Sequence, residues 1–149
     1  KTTRNFLLVQ EKDGLIVSKK NVHMKTKKNV NDKNLDDMIF GFIVAKYINS
    51  NAIVLTKNLT TLGIGIGQTN RLASAKQAIE QMKKNFPKTS AILASDGFFP
   101  FPDIVKLCSK NNILAIIQPG GSRNDELIIK EAEKNNIPMA FTGSRHFKH

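Results

Sequence analysis

The chain has a single cysteine, Cys108, among its 149 residues. That excludes an intrachain disulfide and a cysteine-rich zinc centre, and makes a reducing, cytoplasmic setting the expectation. No apolar run approaches the ~20 residues of a membrane span. The opening KTTRNFLLVQEKDG has too short an apolar core for a secretory signal. Arginine is scarce as well: of 23 basic residues, 19 are lysine and four are arginine. A formal charge of +11 therefore does not by itself indicate a nucleic-acid surface, because base readout and stacking favour arginine. A small anionic substrate suits the same field. Several chemistries lack their motifs. No His-x-Glu accompanies a Pro-Cys-x-x-Cys for zinc deamination. No Gly-x-Ser-x-Gly elbow is present, nor a cysteine beside a base, and Cys108 reads as core.

What is present suffices for one domain. A chain of this length buries roughly 70% of the surface its unfolded form exposes, and 40% of its residues are hydrophobic. FLLVQEKDGLIVS (6–18) reads as a hairpin joined at Asp13–Gly14, and KKNVHMKTKKNVNDKN as a solvated crossing. Met38, Ile39, Phe42, Ile43 and Tyr47 fall at helical spacing behind Asp36 and Asp37, which suit a first turn. NAIVLTK and TLGIGIG read as strands around the turn KNLT. RLASAKQAIEQMKKNF reads as a helix with Leu72, Ala75, Ile79, Met82 and Phe86 on one face. SAILA, ILAIIQ and IPMAFTG read as strands, interleaved with the helices PDIVKLCSKN and DELIIKEAEKNN. Uninterrupted apolar strands imply a sheet covered on both faces. The predicted class is α/β, a three-layer α/β/α sandwich with a mixed sheet. Lys1 in place of methionine reads as a trimmed chain or a piece of a longer one.

Ligands of open α/β sheets gather beyond the carboxyl ends of the strands. SDGFFPFPD (95–103), PGGSRND (119–125) and GSRHFKH (143–149) all follow strands. The first crowds Phe98, Phe99 and Phe101 around Pro100, which rules out the interior of a helix or central strand. In GIGIGQTNR (63–71) three glycines of one parity strip a strand face of side chains, so another backbone or a ligand must come close. The spacing fits neither a dinucleotide fingerprint nor a phosphate loop. Gln68, Asn70 and Arg71 add polar groups where a helix begins. Free N–H groups in PGGSRND favour an anion or carboxylate, or else Ser122 or Asn124 caps the helix. His146 and His149 lie in a terminal hexapeptide whose default is a free tail, and His23 reads as exposed.

NAIVL, GIGIGQTNR, SDGFFPFPD, IQPGGSRND and FTGSRHFKH, in that order, resemble the C-terminal half of the transformylase domain of the AICAR transformylase/IMP cyclohydrolase family. The resemblance runs from about Leu7 to His149. It implies formyl transfer from 10-formyltetrahydrofolate to the 5-amino group of AICAR, in purine (IMP) biosynthesis. It also implies a domain of two cytidine-deaminase-like units lacking catalytic zinc. This chain would be the second unit (34–149) with the hairpin and crossing that lead into it (1–33).

Carried over by position, Asn51 matches an asparagine beside the reacting amine, and Arg71 and Arg145 match arginines that hold the nucleotide. Phe98 contacts AICAR in this scheme, with Phe147 supporting the pocket. Asp103 would bind the pterin of the folate, with Leu72, Ser122 and Arg123 lining that side. The family's catalytic Lys–His pair lies in the first unit and cyclohydrolase activity further upstream, so the chain alone is expected to be inactive. Its implied partners are the remaining N-terminal part of the enzyme and a second copy in a homodimer. Pro102 departs from the arginine usual before the aspartate. The competing classes are a non-catalytic nucleotide- or RNA-binding module and a purely structural half-domain.

Overall fold

The computed structural model describes residues 9–10 and 13–148. A short 3₁₀ turn, Lys19–Asn21, precedes strand β1 (His23–Met24) and helix α1 (Asp32–Lys46). The hairpin β2 (Ile53–Lys57) and β3 (Thr60–Gly65) leads into α2 (Arg71–Asn85). Then β4 (Ala91–Ser95), α3 (Asp103–Ser109), β5 (Ile113–Gln118), α4 (Asp125–Lys134) and β6 (Met139–Phe141) alternate. Among the described residues, no helix is long and apolar enough to cross a membrane.

The six strands form one mixed sheet in the order β1-β6-β5-β4-β2-β3. Strands β4, β5 and β6 run parallel, whereas β2 is antiparallel to both β3 and β4. Ile53 is level with both Ser95 and Gly65. The start of β2 and the ends of β3 and β4 therefore share one edge of the sheet with the ends of β5 and β6.

Strand alternation sorts the side chains into two layers. Leu93 and Ile116 join Ala75, Ile79, Ile104 and Ile128 from α2, α3 and α4. Ile92, Ala94 and Ile117 pack on Met38 and Phe42 of α1. Both faces are covered, as the apolar strands imply. Cys108 lies fully buried in the first layer, where loss of hydration pushes its thiol well above the usual range. It is core.

The chain's first third departs from its sequence reading. One arm of the 6–18 hairpin lies mostly outside the described residues, and the other, 15–18, carries no strand. The lysine-rich crossing supplies β1, which pairs antiparallel with β6. Helix α1 starts at Asp32, with Asn31 Oδ1 accepting from the Asn34 N–H at 2.8 Å. Asp36 and Asp37 are thus beyond the first turn. Asp36 pairs with Lys19 on the surface. Asp37 is buried and accepts the N–H groups of Asn58 and Leu59 at 2.9 and 2.7 Å. Both turn residues have positive φ, 52° and 55°, as a two-residue hairpin turn of type I′ requires.

The glycine strand answers to a backbone. A methyl group at Gly63 would lie 2.1 Å from the Ala78 carbonyl oxygen, and one at Gly65 would lie 1.9 Å from that of Ser74. Helix α2 therefore rides directly on β3. Gln81 and Gln77 accept the N–H groups of Ile64 and Ile66 at 2.7 and 3.0 Å, which satisfies donors on an edge strand that would otherwise invite pairing. Gly65→Ala should force α2 away and destabilise the fold by about 1–3 kcal/mol. A urea midpoint unchanged by that substitution would contradict the close packing.

Candidate functional site

The common edge of the sheet is organised by a carboxylate. Asp96 follows the last residue of β4 and has no exposed surface. Its Oδ1 accepts from Arg71 Nη2 at 2.9 Å and its Oδ2 from the Ser50 hydroxyl at 2.5 Å. Its backbone joins two more segments: the N–H donates to Ala52 O at 3.2 Å, and the carbonyl accepts from the His146 N–H at 2.9 Å. One residue thus ties together the start of β2, the start of α2, the end of β4 and the C-terminal tail. Gly97 makes room for this. A Cβ there would sit 2.4 Å from Arg71 Nη2 and 3.1 Å from the Phe147 ring.

Around this hub the expected nucleotide residues come together. Arg71 also donates to Phe98 O at 3.2 Å, while its buried Nε has no hydrogen-bond partner among the described residues. Asn51 donates through Nδ2 to Gln68 O at 2.8 Å, and its own carbonyl accepts from the Ser74 hydroxyl at 2.8 Å. The Arg145 guanidinium lies over the Phe147 ring, 5.4 Å from its centre, within cation–π range. Arg71, Phe98, Arg145 and Phe147 thus gather around Gly97, and Asn51 follows Ser50, which is bonded to Asp96.

The aromatic turn divides three ways. Phe99 is fully buried, its N–H donating to the buried Gln118 side chain at 2.7 Å. Phe98 is half-buried at the site, and Phe101 is 59% exposed. Only Phe98 and Phe101 have ring surface to offer a ligand.

The residues expected on the folate side occupy the same edge less tightly. Asp103 opens α3, half-buried, with Oδ1 on the Ile104 N–H at 2.8 Å. Leu72 packs against the core beneath. Ser122 is half-buried and Arg123 exposed, in a loop held to the aromatic turn by Asn124 Nδ2 donating to Pro100 O at 2.7 Å. The glycine-rich N–H groups here already have a carboxylate. Gly121 and Ser122 donate to Asp125 at 2.7 and 3.2 Å.

Residues 144–148 of the terminal hexapeptide are docked, and His149 lies outside the described residues. His146 is 2% exposed, its ring 4.8 Å from that of Phe42 and its Nδ1 hydrogen-bonded to Asp13. Lys148 O accepts from the Ser50 N–H at 3.0 Å, and Lys148 Nζ donates to Tyr47 O at 2.9 Å. Asp96, Ser50, Gly97 and His146 were not singled out as site residues from sequence. The available signal is a carboxylate and a glycine directly after AILAS, a strand apolar in its first four residues. Two surface cavities, of about 270 Å³ beside Thr26 and Ile137 and about 130 Å³ beside Thr56 and Ala91, open at the opposite strand ends. Among the described residues no cluster of His, Cys, Asp or Glu is placed to hold a metal ion.

A family model described as AICARFT/IMPCHase bienzyme matches residues 1–81, just over half of the chain. The chain belongs to that family. It is 48% identical over 149 residues to the bifunctional purine biosynthesis protein PurH of Thermoanaerobacter sp. (strain X514), covering 100% of this chain and 29% of that protein. Against the protein of the same name from Clostridium acetobutylicum, identity is 50% over 143 residues, covering 96% of this chain and 27% of the relative. The Fusobacterium nucleatum protein is 44% identical over 143 residues, with 96% and 28% covered. The chain thus spans under a third of the length of these relatives. The fold of a mixed sheet between helices is consistent with the cytidine-deaminase-like unit of the family.

Two outcomes follow from the site's electrostatics. Asp96→Asn removes the charge that pairs with the nearly buried Arg71, whose side chain is 10% exposed. Breaking such a pair from one side costs about 3–5 kcal/mol, which chemical denaturation would register. The second concerns Asp13. Loss of hydration alone would raise its carboxyl, but hydrogen bonds from His146 and the Leu15 N–H, with the charges of His146 and Lys46, outweigh it. The group sits below its ordinary 3.8. Its contribution to stability is complete above that value and fades as pH falls through the lower folded value. The urea-midpoint gap between wild type and Asp13→Asn should narrow from pH 5 to pH 3. A constant gap would contradict the assignment.

Proposed function

We propose that this chain is the substrate-binding half of an AICAR formyltransferase site, acting within a longer bifunctional enzyme of purine biosynthesis. The observation that carries the reading is the gathering of Arg71, Phe98, Arg145 and Phe147 around Gly97, with Asn51 beside the Ser50–Asp96 bond at the same end of the sheet, in a member of this family. The domain reading follows with it: residues 34–149 as the second cytidine-deaminase-like unit and 1–33 as the segment leading into it.

The roles divide by chemistry. Arg145 is exposed and positively charged, suited to the anionic phosphate of a ribonucleotide. Arg71 is held by Asp96 and Phe98 O, which fixes its guanidinium beside the Phe147 ring. Phe98 and Phe147 present ring surface to a flat heterocycle. Asn51 offers an amide beside the reacting amine, with its backbone locked by Ser74. AICAR's aromatic amine is a poor nucleophile, so its alignment with the formyl carbon carries much of the rate. On the other side Asp103 offers a carboxylate to the paired N–H donors of a pterin, flanked by Leu72, Ser122 and Arg123. Those groups, an acceptor beside apolar and small polar ones, fit a folate. The co-substrate 10-formyltetrahydrofolate supplies the one-carbon unit. Proton management belongs to the Lys–His pair implied for the first unit, so this chain alone is inactive in the proposal, and the complete enzyme is a dimer.

The test is formyl transfer from 10-formyltetrahydrofolate to AICAR, followed by absorbance, for this chain alone and with the family's first transformylase unit added. Activity should appear only with both, and Arg145→Ala should weaken AICAR binding roughly 10- to 100-fold, the range of one charge-assisted hydrogen bond. Activity of the chain alone, or none from a complex shown to form, would sink the proposal. In the latter case, salt-sensitive RNA binding would point to a nucleic-acid module instead.

A further inference from the structure

The proposed reaction makes no use of the buried His146 or of Asp13, 133 positions away in sequence. Asp13 is fully engaged. One oxygen takes the His146 Nδ1 hydrogen bond, and the other accepts from the Leu15 N–H at 3.1 Å, with Lys46 Nζ 3.6 Å away. Lys46 in turn donates to Leu15 O at 2.5 Å, fixing the Asp13 segment to the end of α1. Gln10, from the same segment, donates to Phe147 O.

The tail residues alternate in what they meet. His146 and Lys148 face α1, through the Phe42 ring and Tyr47 O. Arg145 and Phe147 stack on one another on the opposite side, where Phe147 lies against Gly97 and the Arg71 guanidinium. In extended chain, side chains at i and i+2 share a face. Anchoring the even-numbered residues therefore aims the odd-numbered ones.

We propose that the Asp13–His146 hydrogen bond is a latch that seats the C-terminal tail and so positions Arg145 and Phe147 against the anionic ribonucleotide. Asp13 and His146 are positioning residues: neither reaches the substrate. The inference rests on the proposed function for its ligand, but the seating of the tail stands on geometry alone.

The experiment combines two measurements on the chain. In the first, AICAR is titrated into wild type, Asp13→Ala, Asp13→Asn, Arg145→Ala and the Asp13→Ala/Arg145→Ala pair. Asp13→Ala should raise the Kd at least fivefold, and Asp13→Asn, which keeps an acceptor in reach of Nδ1, should fall between it and wild type. In the Arg145→Ala background, Asp13→Ala should raise the Kd by a smaller factor than it does in wild type, because one of the two residues it aims is gone. A merely structural role would weaken binding equally in both backgrounds, and that result overturns the latch. So does an unchanged Kd in Asp13→Ala. In the second, amide hydrogen exchange is followed at Ser50 and His146, whose N–H groups donate to Lys148 O and Asp96 O. Exchange at least tenfold faster in Asp13→Ala supports the latch, and unchanged exchange overturns it. Should wild type bind no AICAR, the substrate reading falls, and the exchange result alone decides whether the tail is latched.

Discussion

The buried carboxylate of Asp96 is the constraint on which the rest of the site depends. A carboxylate without solvent contact must find charge and hydrogen-bond partners within the protein, and they come from different segments, Arg71 from α2 and Ser50 from the approach to β2, while the backbone carbonyl of the same residue takes the His146 N–H from the tail. Satisfying one residue therefore registers three pieces of chain against the end of β4. Such a pair is weak evidence for stability, since hydrophobic replacements are often as good. Its consequence here is placement: the Arg71 guanidinium lies where Gly97 leaves space, beside the Phe98 backbone and the Phe147 ring.

Placing α2 correctly is a second requirement, met on the opposite side of the helix start. Gly63 and Gly65 let the helix backbone settle on β3, and Gln77 and Gln81, one turn apart, accept two N–H groups of that edge strand. The helix is thereby fixed in height and rotation. Asn70 accepts from the Ala73 N–H at 2.8 Å and caps the same end. The close packing of a glycine strand and the orientation of a charged side chain at the site are thus one mechanical arrangement.

The aromatic turn shows how a conspicuous motif can divide its labour. Phe99 is core, and its backbone is held by Gln118, a buried polar residue that also contacts the Met139 sulfur at 3.4 Å. Phe98 and Phe101 keep ring surface outside the core. The glycine-rich loop after β5 is similar. Its N–H groups, suited to an anion, are taken by Asp125 of the following helix, and Asn124 ties the loop to Pro100. The loop's structural role is to brace the turn.

Local pattern alone determined most of the architecture. The apolar runs from Ala91 and Ile113 predict buried strands, the spacing of Ala75, Ile79 and Met82 predicts the α2 face, and the glycine parity of 63–67 predicts a close approach. These follow from periodicity and sterics, which act within a few residues. The motif order also sufficed to place the chain in its family, and it makes Asn51, Arg71, Phe98 and Arg145 the candidates proposed for the site. What the sequence left open had partners far along the chain. Whether a backbone or a ligand covers the glycines depended on where α2 lands, and Asp37 reads as a helix-dipole residue until the hairpin turn folds over it. Asp13 and His146 meet across nearly the whole chain, so no local rule could turn a terminal hexapeptide from a free tail into a docked one. Only the tertiary structure decided which polar side chains would lose their water, and that loss is what obliges them to pair.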